Sequence, residues 1–474
     1  MDCRIPPTPR GSSVDRRTLL GIGAAGVLSE AATRSVLRAA SPDKPRSVLF
    51  VFLTGGLSHH DSFDMKPDAP SEVRGEFDPI STRTPGLQIC EHLPQLAERS
   101  DHYALVRSMT TASDGHEQAC HMLLTGRLDL PPGFSLDNVP NAQEWPSIPA
   151  VITYVMRDQR TTSMPTAAIL PEPSVNEIGK VRPGQYAGRL GDQYDAWHIN
   201  IAAQCPLGNG ACPDCFRFDG SPFEHASRTI FDMPVLALPA GGLMRFDRRI
   251  ELLRFLQNQQ RNLEQSADHF DRNRQQAISV LTDPGITSAF GVEDDDPQTF
   301  DRYGRNKFGL SLLMGKRLIE AGVKFVQVNL GKNSSWDTHE RNFVNLKENL
   351  LPYLDQSLSA LLDDLGASGR LDETLVVVTG EFGRTPKINK NAGRDHWGPC
   401  NSMLFAGGGV QGGQIIGASD RNGAYPLSDQ MQPENFSATI YRALGLPVDA
   451  EWTDVDGRPH RIFRGRPIDA LYTG

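Results

Sequence analysis

The chain has no long apolar run, no basic stripe and few cysteines, and each shortage excludes a class of protein. A transmembrane helix needs about 20 consecutive apolar residues, and no stretch of the sequence reaches that length. The net charge of −9 is opposite to the basic surface that sequence-independent nucleic-acid binding requires. We therefore expect neither a membrane span in the mature chain nor a nucleic-acid partner. Hydrophobic (39%) and charged (22%) contents are ordinary for a globular protein.

The seven cysteines are an odd number, and three of them fall within eleven residues. These three are Cys205, Cys212 and Cys215. They would supply most of a structural zinc site, with His198 or His225 as the fourth ligand. A disulfide with one thiol left over is an alternative in an exported protein, and a loop without metal is a third. The sequence leaves all three interpretations open.

The N-terminus carries two adjacent arginines, Arg16 and Arg17, before a short and weakly apolar segment at 21–28. This pattern resembles a twin-arginine export signal, although a disordered basic tail is the alternative. We therefore interpret residues 1–40 as a signal peptide. The mature protein is then expected to be periplasmic or extracellular.

Apolar strand-like runs alternate with helix-like periodicity along the rest of the chain. Strands are predicted at 47–53, 103–106, 324–330, 374–379 and 401–406, and helices at 116–124, 300–321, 343–365 and 433–444. This alternation predicts an α/β fold of three layers, α/β/α, with a mostly parallel central sheet. We expect one domain over 45–470. Its segment 129–245, rich in Pro and Gly, is interpreted as an insertion at one end of the sheet.

Three clusters of acidic residues and histidines follow predicted strands in the second half of the chain. They are Trp336-Asp337-Thr338-His339, Gly380-Glu381-Phe382-Gly383-Arg384-Thr385-Pro386 and Gly393-Arg394-Asp395-His396-Trp397. Open α/β sheets bind ligands at the carboxyl ends of their strands, where loops from several strands converge. Carboxylates and imidazoles are the donors that divalent metals prefer. The clusters therefore predict a metal-dependent hydrolytic site.

These clusters, together with the segment from Gly55 to Asp64, resemble an uncharacterised family of exported bacterial proteins. That family is grouped with the alkaline phosphatase and sulfatase superfamily, and the resemblance spans about 45–470. In addition, Leu123-Leu124-Thr125-Gly126-Arg127 looks like the end of the sulfatase nucleophile helix. The resemblance implies an alkaline phosphatase-like fold, a divalent metal and an anionic ester substrate.

The sequence departs from the superfamily pattern at three places. The first strand ends in Thr54-Gly55-Gly56, where the superfamily has a metal-binding Asp. The nucleophile position falls at His116, so neither a Cys nor a Ser is there, and the late Asp-His pair is replaced by Glu381-Phe382. These departures argue against a covalent sulfatase or phosphatase mechanism. They leave room for one metal ion rather than two.

We therefore predict one metal centre with a water nucleophile. The candidate ligands are Asp61, Asp337, His339, Glu381, Asp395 and His396. His116 is predicted as a general base or a further ligand, and Arg384 as the group that neutralises an anionic substrate. The donor types favour Zn²⁺ or Mn²⁺, with Ca²⁺ as an alternative.

Each of these residues also has a structural interpretation. Asp337 and His339 would fit a hydrogen-bonded turn, and Glu381 with Arg384 would fit a buried ion pair. Two functions follow. The first is a secreted metal-dependent hydrolase of sulfate or phosphate esters, with sulfated polysaccharides among the substrates. The second is a catalytically degenerate relative that binds an anionic polymer or a protein partner.

Overall fold

The structure is a computed structural model, and it describes most of the chain after the predicted signal. The described residues are 47–134, 140–159, 164–176, 178–199, 289, 296–331 and 334–473. The predicted signal and the cluster of Cys205, Cys212 and Cys215 lie outside them. Within the described ranges, no helix combines the length and apolarity that crossing a bilayer requires.

A sheet of eight strands runs through the centre of the fold. The strands are β1 (Ser47–Leu53), β2 (Tyr103–Met109), β3 (Ala167–Leu170), β4 (Trp197–His198), β5 (Phe325–Leu330), β6 (Thr374–Thr379), β7 (Asn401–Ala406) and β8 (Gln414–Ile416). Their spatial order is β8-β2-β7-β6-β1-β5-β3-β4. Only β7 runs antiparallel to its two neighbours, and the other five pairings are parallel. The predicted mostly parallel sheet is therefore confirmed.

Strand β1 shows why the sheet is covered on both faces. All seven of its residues are buried, as its continuous apolar sequence predicts for a central parallel strand. Because side chains alternate between the two faces, Leu49 and Val51 join one hydrophobic core while Phe50 and Phe52 join the other. The register fixes the strand between its neighbours, with Val51 opposite Val328 of β5 and Val378 of β6.

Helices cover both faces and complete the predicted three layers. The longer ones are α1 (His116–Thr125), α2 (Ile148–Val155), α3 (Pro297–Tyr303), α4 (Lys307–Glu320), α5 (Leu351–Ala367) and α6 (Pro433–Ala443). Short helices lie at Ser71–Arg74, Pro94–Ala97 and Asn342–Asn345. Helices α4 and α5 contribute to the core that contains Leu49, whereas α1, α2 and α6 contribute to the core that contains Phe50.

Two predicted helices are divided in the structure. The helix predicted at 300–321 is interrupted after Tyr303, and α4 restarts where the Asn306 side chain accepts a hydrogen bond from Gly309 N (3.1 Å). The helix predicted at 343–365 passes through a π-helical segment, Leu346–Leu350, before α5. Pro352 lacks a backbone N–H and so cannot continue the regular hydrogen-bond pattern there.

Part of the segment interpreted as an insertion belongs to the central sheet instead. Strand β3 pairs with β5, and β4 forms the edge beside β3. The apolar run of β3 is flanked by Pro165 and Pro171, and this setting hid a four-residue strand from the sequence pattern. Residues 201–245 of the same segment lie outside the described part of the chain.

Four two-stranded ribbons accompany the sheet in the described part of the chain. They are Pro79–Ser81 with Gln88–Cys90, Gly383–Arg384 with His396–Trp397, Ala418–Ser419 with Pro426–Ser428, and Glu451–Thr453 with Pro459–Arg461. In the second ribbon Arg384 lies opposite His396. Strands β6, β1 and β5 are adjacent and parallel, so their carboxyl ends lie side by side. The loops after Thr379, Leu53 and Leu330 therefore leave the sheet on the same side. Two of the three predicted clusters begin there.

Candidate metal centre

Four side chains meet above the carboxyl ends of the central strands. The Oδ2 atom of Asp337 lies 2.9 Å from Nε2 of His116, and its Oδ1 atom lies 3.0 Å from Nε2 of His396 and 3.1 Å from Nε2 of His339. One donor atom each from His116, Asp337 and His396 lie within 4.8 Å of one another. We refer to these four candidate ligands as the metal centre.

The chain brings the four residues together from three separate segments. His116 is the first residue of α1, so the helix fixes its position. Asp337 and His339 belong to the loop after β5, and His396 belongs to the ribbon that pairs with Arg384. The loop that carries His339 and the loop that carries His396 are in close contact at Gly393. A Cβ atom at this glycine would lie 1.8 Å from the main-chain oxygen of His339.

Each of the three histidines uses Nδ1 in a hydrogen bond that points away from the centre. The acceptors are Glu381 Oε1 for His116 (2.7 Å), Asp395 Oδ1 for His339 (2.7 Å) and the main-chain oxygen of Asp114 for His396 (2.8 Å). A carbonyl oxygen can only accept, so Nδ1 of His396 carries a proton. This arrangement turns all three Nε2 atoms toward Asp337. Such outer partners fix the tautomer of metal-binding histidines.

The Nε2 atoms of His339 and His396 lie only 2.8 Å apart. With Nδ1 of each ring donating outward, two neutral rings would point lone pairs at each other. The contact is therefore favourable only with a proton shared by the two nitrogens or with a cation that both coordinate. Burial opposes charge on His339, but Asp337 and Asp395 outweigh it and raise its pKa. Burial lowers the pKa of His396, with His116 and Arg384 adding to the effect against the opposing pull of Asp337.

The two buried carboxylates at the centre are held in their charged forms. Burial opposes ionisation of Asp337, but Arg384 and His116 hold the pKa of this carboxyl well below its usual range. Burial likewise opposes ionisation of Glu381, and its hydrogen bond with His116 outweighs this and lowers the pKa. In turn, Asp337 and Glu381 raise the pKa of His116 even though burial alone would lower it. The two carboxylates therefore favour positive charge on His116.

Three imidazole nitrogens and one carboxylate form a donor set that fits a borderline divalent ion. Zn²⁺ is commonly bound by His nitrogen and Asp oxygen, with three or four protein ligands. Imidazole-rich sites also suit other transition metals. Ca²⁺ instead requires six to eight oxygen ligands, which this set does not offer. The donor chemistry therefore fits Zn²⁺ or Mn²⁺ and disfavours Ca²⁺.

Asp61 was predicted as a metal ligand, and the structure places it elsewhere. Its carboxylate forms a bidentate ion pair with Arg394, with Nε–Oδ2 at 2.7 Å and Nη2–Oδ1 at 2.9 Å. It also accepts hydrogen bonds from Ser58 Oγ (2.6 Å) and Asn342 Nδ2 (2.9 Å). Both oxygens are thereby engaged. The physical reason is the charge of Arg394, which the sequence pattern did not pair with Asp61.

Glu381 and Asp395 were also predicted as ligands. In the structure each carboxylate contacts Nδ1 of a histidine, on the side of the ring that faces away from the centre. Glu381 accepts from Nδ1 of His116 and from the backbone N–H of Gly55 (3.0 Å to each oxygen). Asp395 accepts from Nδ1 of His339, and its side chain is 55% exposed. Both carboxylates thus act on the centre through a ring rather than directly.

The predicted anion-binding role of Arg384 does not fit its surroundings. Its side chain is fully buried, and its donors are used within the protein. The acceptors are Gly56 O (2.9 Å), Arg394 O (3.2 Å), Trp336 O (3.3 Å), Gly55 O and Asp337 Oδ1 (2.5 Å). Arg384 therefore ties the strand ends to the carboxylate of the metal centre. Its ion-pair partner is Asp337, not the Glu381 suggested by the sequence.

Sequence reasoning missed two residues near the centre. Arg182 is buried and donates from Nη1 to Glu117 (3.1 Å) and from Nη2 to Ser334 Oγ (2.5 Å), so it connects α1 to the loop after β5. No motif marks Arg182 in the sequence. The main-chain oxygen of Asp114 was missed because backbone acceptors leave no trace in a sequence pattern. Arg394, by contrast, was visible within the Gly-Arg-Asp-His-Trp cluster.

The chain matches a family described as "Protein of unknown function (DUF1501)" over residues 45–472. It belongs to the DUF1501 family. The predicted resemblance over 45–470 is thereby confirmed. No curated protein matches the chain.

Solved structures similar to this DUF1501 chain include a sulfatase, a phosphonate monoester hydrolase and a lipoteichoic acid synthase. A sulfatase from Pseudoalteromonas sp. is 11% identical at a TM-score of 0.39, over 90% of this chain and 71% of that chain. A phosphonate monoester hydrolase from Silicibacter pomeroyi is 12% identical at a TM-score of 0.27, over 90% and 76%. A lipoteichoic acid synthase from Listeria monocytogenes is 10% identical at a TM-score of 0.33, over 86% and 74%.

Proposed function

We propose that this DUF1501 protein is an exported, metal-dependent hydrolase of sulfate or phosphate esters. One observation carries the proposal. Three histidines donate Nδ1 outward and turn Nε2 toward an ionised, buried carboxylate. A cation that both imidazole nitrogens would coordinate explains their 2.8 Å contact, whereas a proton shared between them would leave the protein without metal.

Asp337, His116, His339 and His396 would hold one divalent ion. When bound, the ion would lower the pKa of a water molecule and polarise the ester oxygen. The side chains of His339 and His396 are 28% and 22% exposed, while those of His116 and Asp337 are buried. Substrate would therefore approach from the side of His339 and His396.

The remaining residues of the site hold the donors in place. Glu381 accepts from Nδ1 of His116 and fixes the orientation of that ring, and Asp395 does the same for His339, so that each Nε2 faces the centre. Phe382 packs against both His116 and His396, at ring centroid distances of 4.9 and 4.6 Å, and shields one side of the centre from water. A shielded site strengthens the electrostatic contacts within it.

The decisive experiment begins with elemental analysis of the mature protein, purified without exposure to chelator. We expect near-stoichiometric zinc or manganese in the wild type and its loss in an Asp337→Ala/His339→Ala variant. The variant Asp101→Ala/His102→Ala is the matched control, because it removes the same residue types from the surface. Metal retained in the first variant would refute the centre.

Turnover is the second half of that test. Sulfate, phosphate and phosphonate esters, with sulfated polysaccharides among them, are screened with the metal-loaded protein. We expect hydrolysis of at least one ester class and its loss in the Asp337→Ala/His339→Ala variant. Full activity in that variant would exclude the proposed chemistry.

Export is a separate part of the proposal and is supported by the paired Arg16 and Arg17. Replacing both with lysine is expected to retain the protein in the cytoplasm. Fractionation of cells that express the two forms measures this. Unchanged export of the lysine variant would remove the twin-arginine assignment without affecting the metal centre.

A second function, binding without catalysis, is favoured by one observation. Arg384, which the sequence predicts to neutralise the substrate anion, is buried and uses its donors in contacts within the protein. In addition, His116 occupies the sequence position at which the superfamily has its nucleophile. A degenerate relative would bind an anionic polymer or a protein partner at the same site. Specific binding together with an absence of turnover across the three ester classes would support this function over the first.

A further inference from the structure

One buried ion pair has no role in the proposed chemistry, although both of its residues lie in the sequence motifs of the family. Asp61 and Arg394 are 1% and 0% exposed and form a bidentate pair. Two charges are costly to bury, and a pair persists only when its geometry and further hydrogen bonds compensate. The position of this pair therefore calls for an explanation.

The pair connects directly to the loop that carries Asp337 and His339. Arg394 N donates to the main-chain oxygen of Thr338 (3.1 Å), the residue between these two members of the metal centre. Asp61 reaches the same residue through Asn342, which donates to Asp61 and accepts from Thr338 Oγ1. Thr338 is thus held on both its backbone and its side chain.

The pair also fixes the second loop of the metal centre. Arg394 immediately precedes Asp395 and His396, so the position of its backbone sets where these two residues begin. Its guanidinium is anchored by Asp61 and by the main-chain oxygens of Val73 (2.8 Å), Thr385 (3.2 Å) and Pro386. Arg394 therefore positions its own loop and holds the neighbouring one.

Both loops adopt backbone conformations that need external support. Arg341 and Ala392 have φ angles of 49° and 54°, in the left-handed region that side chains other than glycine rarely adopt. Arg341 N donates to Asn391 O (3.0 Å) and Asn342 N donates to Ala392 O (2.9 Å), so the strained residues lie at the seam between the loops. Such conformations persist when the surroundings determine them.

We infer that Asp61 and Arg394 are positioning residues of the metal centre. They set the spacing between the loop that carries Asp337 and His339 and the loop that carries His396. This inference rests on the proposed function only for its effect on metal binding. Its effect on the two loops stands without any metal.

The test uses the Asp61→Asn variant of the mature protein and two measurements. Zinc affinity, measured by competition with a chelator, is expected to fall at least tenfold, as for other outer partners of metal ligands. Hydrogen exchange in the metal-free protein is expected to accelerate about tenfold at Arg341, Asn342 and Arg394, while the amides of β1 keep their wild-type rates.

The matched control is Asp355→Asn. Asp355 is also nearly fully buried (2% exposed). Unlike Asp61, its carboxylate accepts hydrogen bonds from backbone N–H groups, those of Gln95 (3.0 Å) and Leu96 (2.8 Å) in a helix away from the two loops. This substitution removes the same charge from the protein. We expect it to leave both the zinc affinity and the exchange rates of the two loops unchanged.

The outcomes separate a positioning role from a purely structural one. Lower thermal stability of Asp61→Asn with wild-type zinc affinity and uniformly faster exchange would overturn the inference. If the wild-type protein binds no zinc, the proposed function fails, and the exchange rates alone decide the positioning role. If Asp61→Asn does not fold, Asn342→Ala keeps the ion pair but removes its contact with the Thr338 side chain, and we expect zinc affinity about tenfold weaker. Unchanged affinity and exchange in that variant would also overturn the inference.

Discussion

The substitution Asp337→Asn removes the negative charge of the metal centre while keeping the size of the side chain. The carboxylate contacts four positively charged or hydrogen-bonding groups. They are Arg384 Nη1 (2.5 Å) and the Nε2 atoms of His116 (2.9 Å), His396 (3.0 Å) and His339 (3.1 Å). Since the pKa of Asp337 is held well below its usual range, the wild-type group is charged at neutral pH. The substitution therefore changes its charge at any pH used for the assay.

The expected loss of stability follows from the burial of Arg384. Removing one partner of a buried ion pair costs about 3–5 kcal/mol. Arg384 keeps its hydrogen bonds to main-chain oxygens such as Gly56 O, so we expect a loss of about 3 kcal/mol in the metal-free protein. Zinc at 100 times its dissociation constant adds about 2.7 kcal/mol to the wild type. The variant should gain almost nothing, so the difference in zinc is about 6 kcal/mol.

Urea denaturation with and without zinc measures both contributions. The control is Asp363→Asn, which removes a charge from an exposed pair with Arg99 (2.7 Å). Because surface pairs contribute at most about 1 kcal/mol, the control should keep the full stabilisation by zinc. An Asp337→Asn variant that is still stabilised by zinc as strongly as the wild type would refute our account of the centre.

Three further predictions test separate contacts. Glu381→Gln weakens the hydrogen bond that Nδ1 of His116 donates to this side chain. We therefore expect a zinc affinity about tenfold lower, measured by competition with a chelator; an unchanged affinity would show that Glu381 does not orient the ring. Arg384→Lys cannot reproduce the planar set of donors, so we expect a loss of about 3 kcal/mol or more in urea; wild-type stability with a raised KM would restore the anion-binding role. Burial raises the pKa of Glu144 to about 7, although Gly184 N donates to it. Its folded pKa exceeds its unfolded pKa, so its contribution to stability is complete at pH 4 and lost as the pH rises through 7. Glu144→Gln should therefore be about 3 kcal/mol more stable than the wild type at pH 8 and equal at pH 4; a difference independent of pH would contradict this.

The parts of the fold that were predictable rest on local pattern. Strand β1 was predicted because seven consecutive buried residues leave a continuous apolar run, and the acid and histidine clusters were found because they follow such strands. His116 was found by counting back from Leu123 along one helix. Strand β3 was missed because four apolar residues between prolines are too short to show a period.

The division of labour among the acids was not predictable from local pattern. Asp61 and Arg394 are separated by 333 residues, and Glu381 and His116 by 265. A sequence shows that a carboxylate follows a strand, but long-range packing decides whether it meets a metal ion, a histidine or an arginine. For this reason the sequence could point to the loops that carry the candidate site, while the contacts of Asp61 and Arg384 could not be predicted from it.

Gly393 is a sequence marker of the metal centre that is independent of the candidate ligands themselves. The hydrogen atom at that position lets one loop rest on the backbone of His339, where a methyl group would come within 1.8 Å of an oxygen. Any larger residue must separate the two loops and, with them, the donors they carry. A relative that keeps all four donors but lacks this glycine is expected to be metal-free. Genome surveys that sort such proteins into active and inactive groups therefore need to read position 393 as well as the histidines.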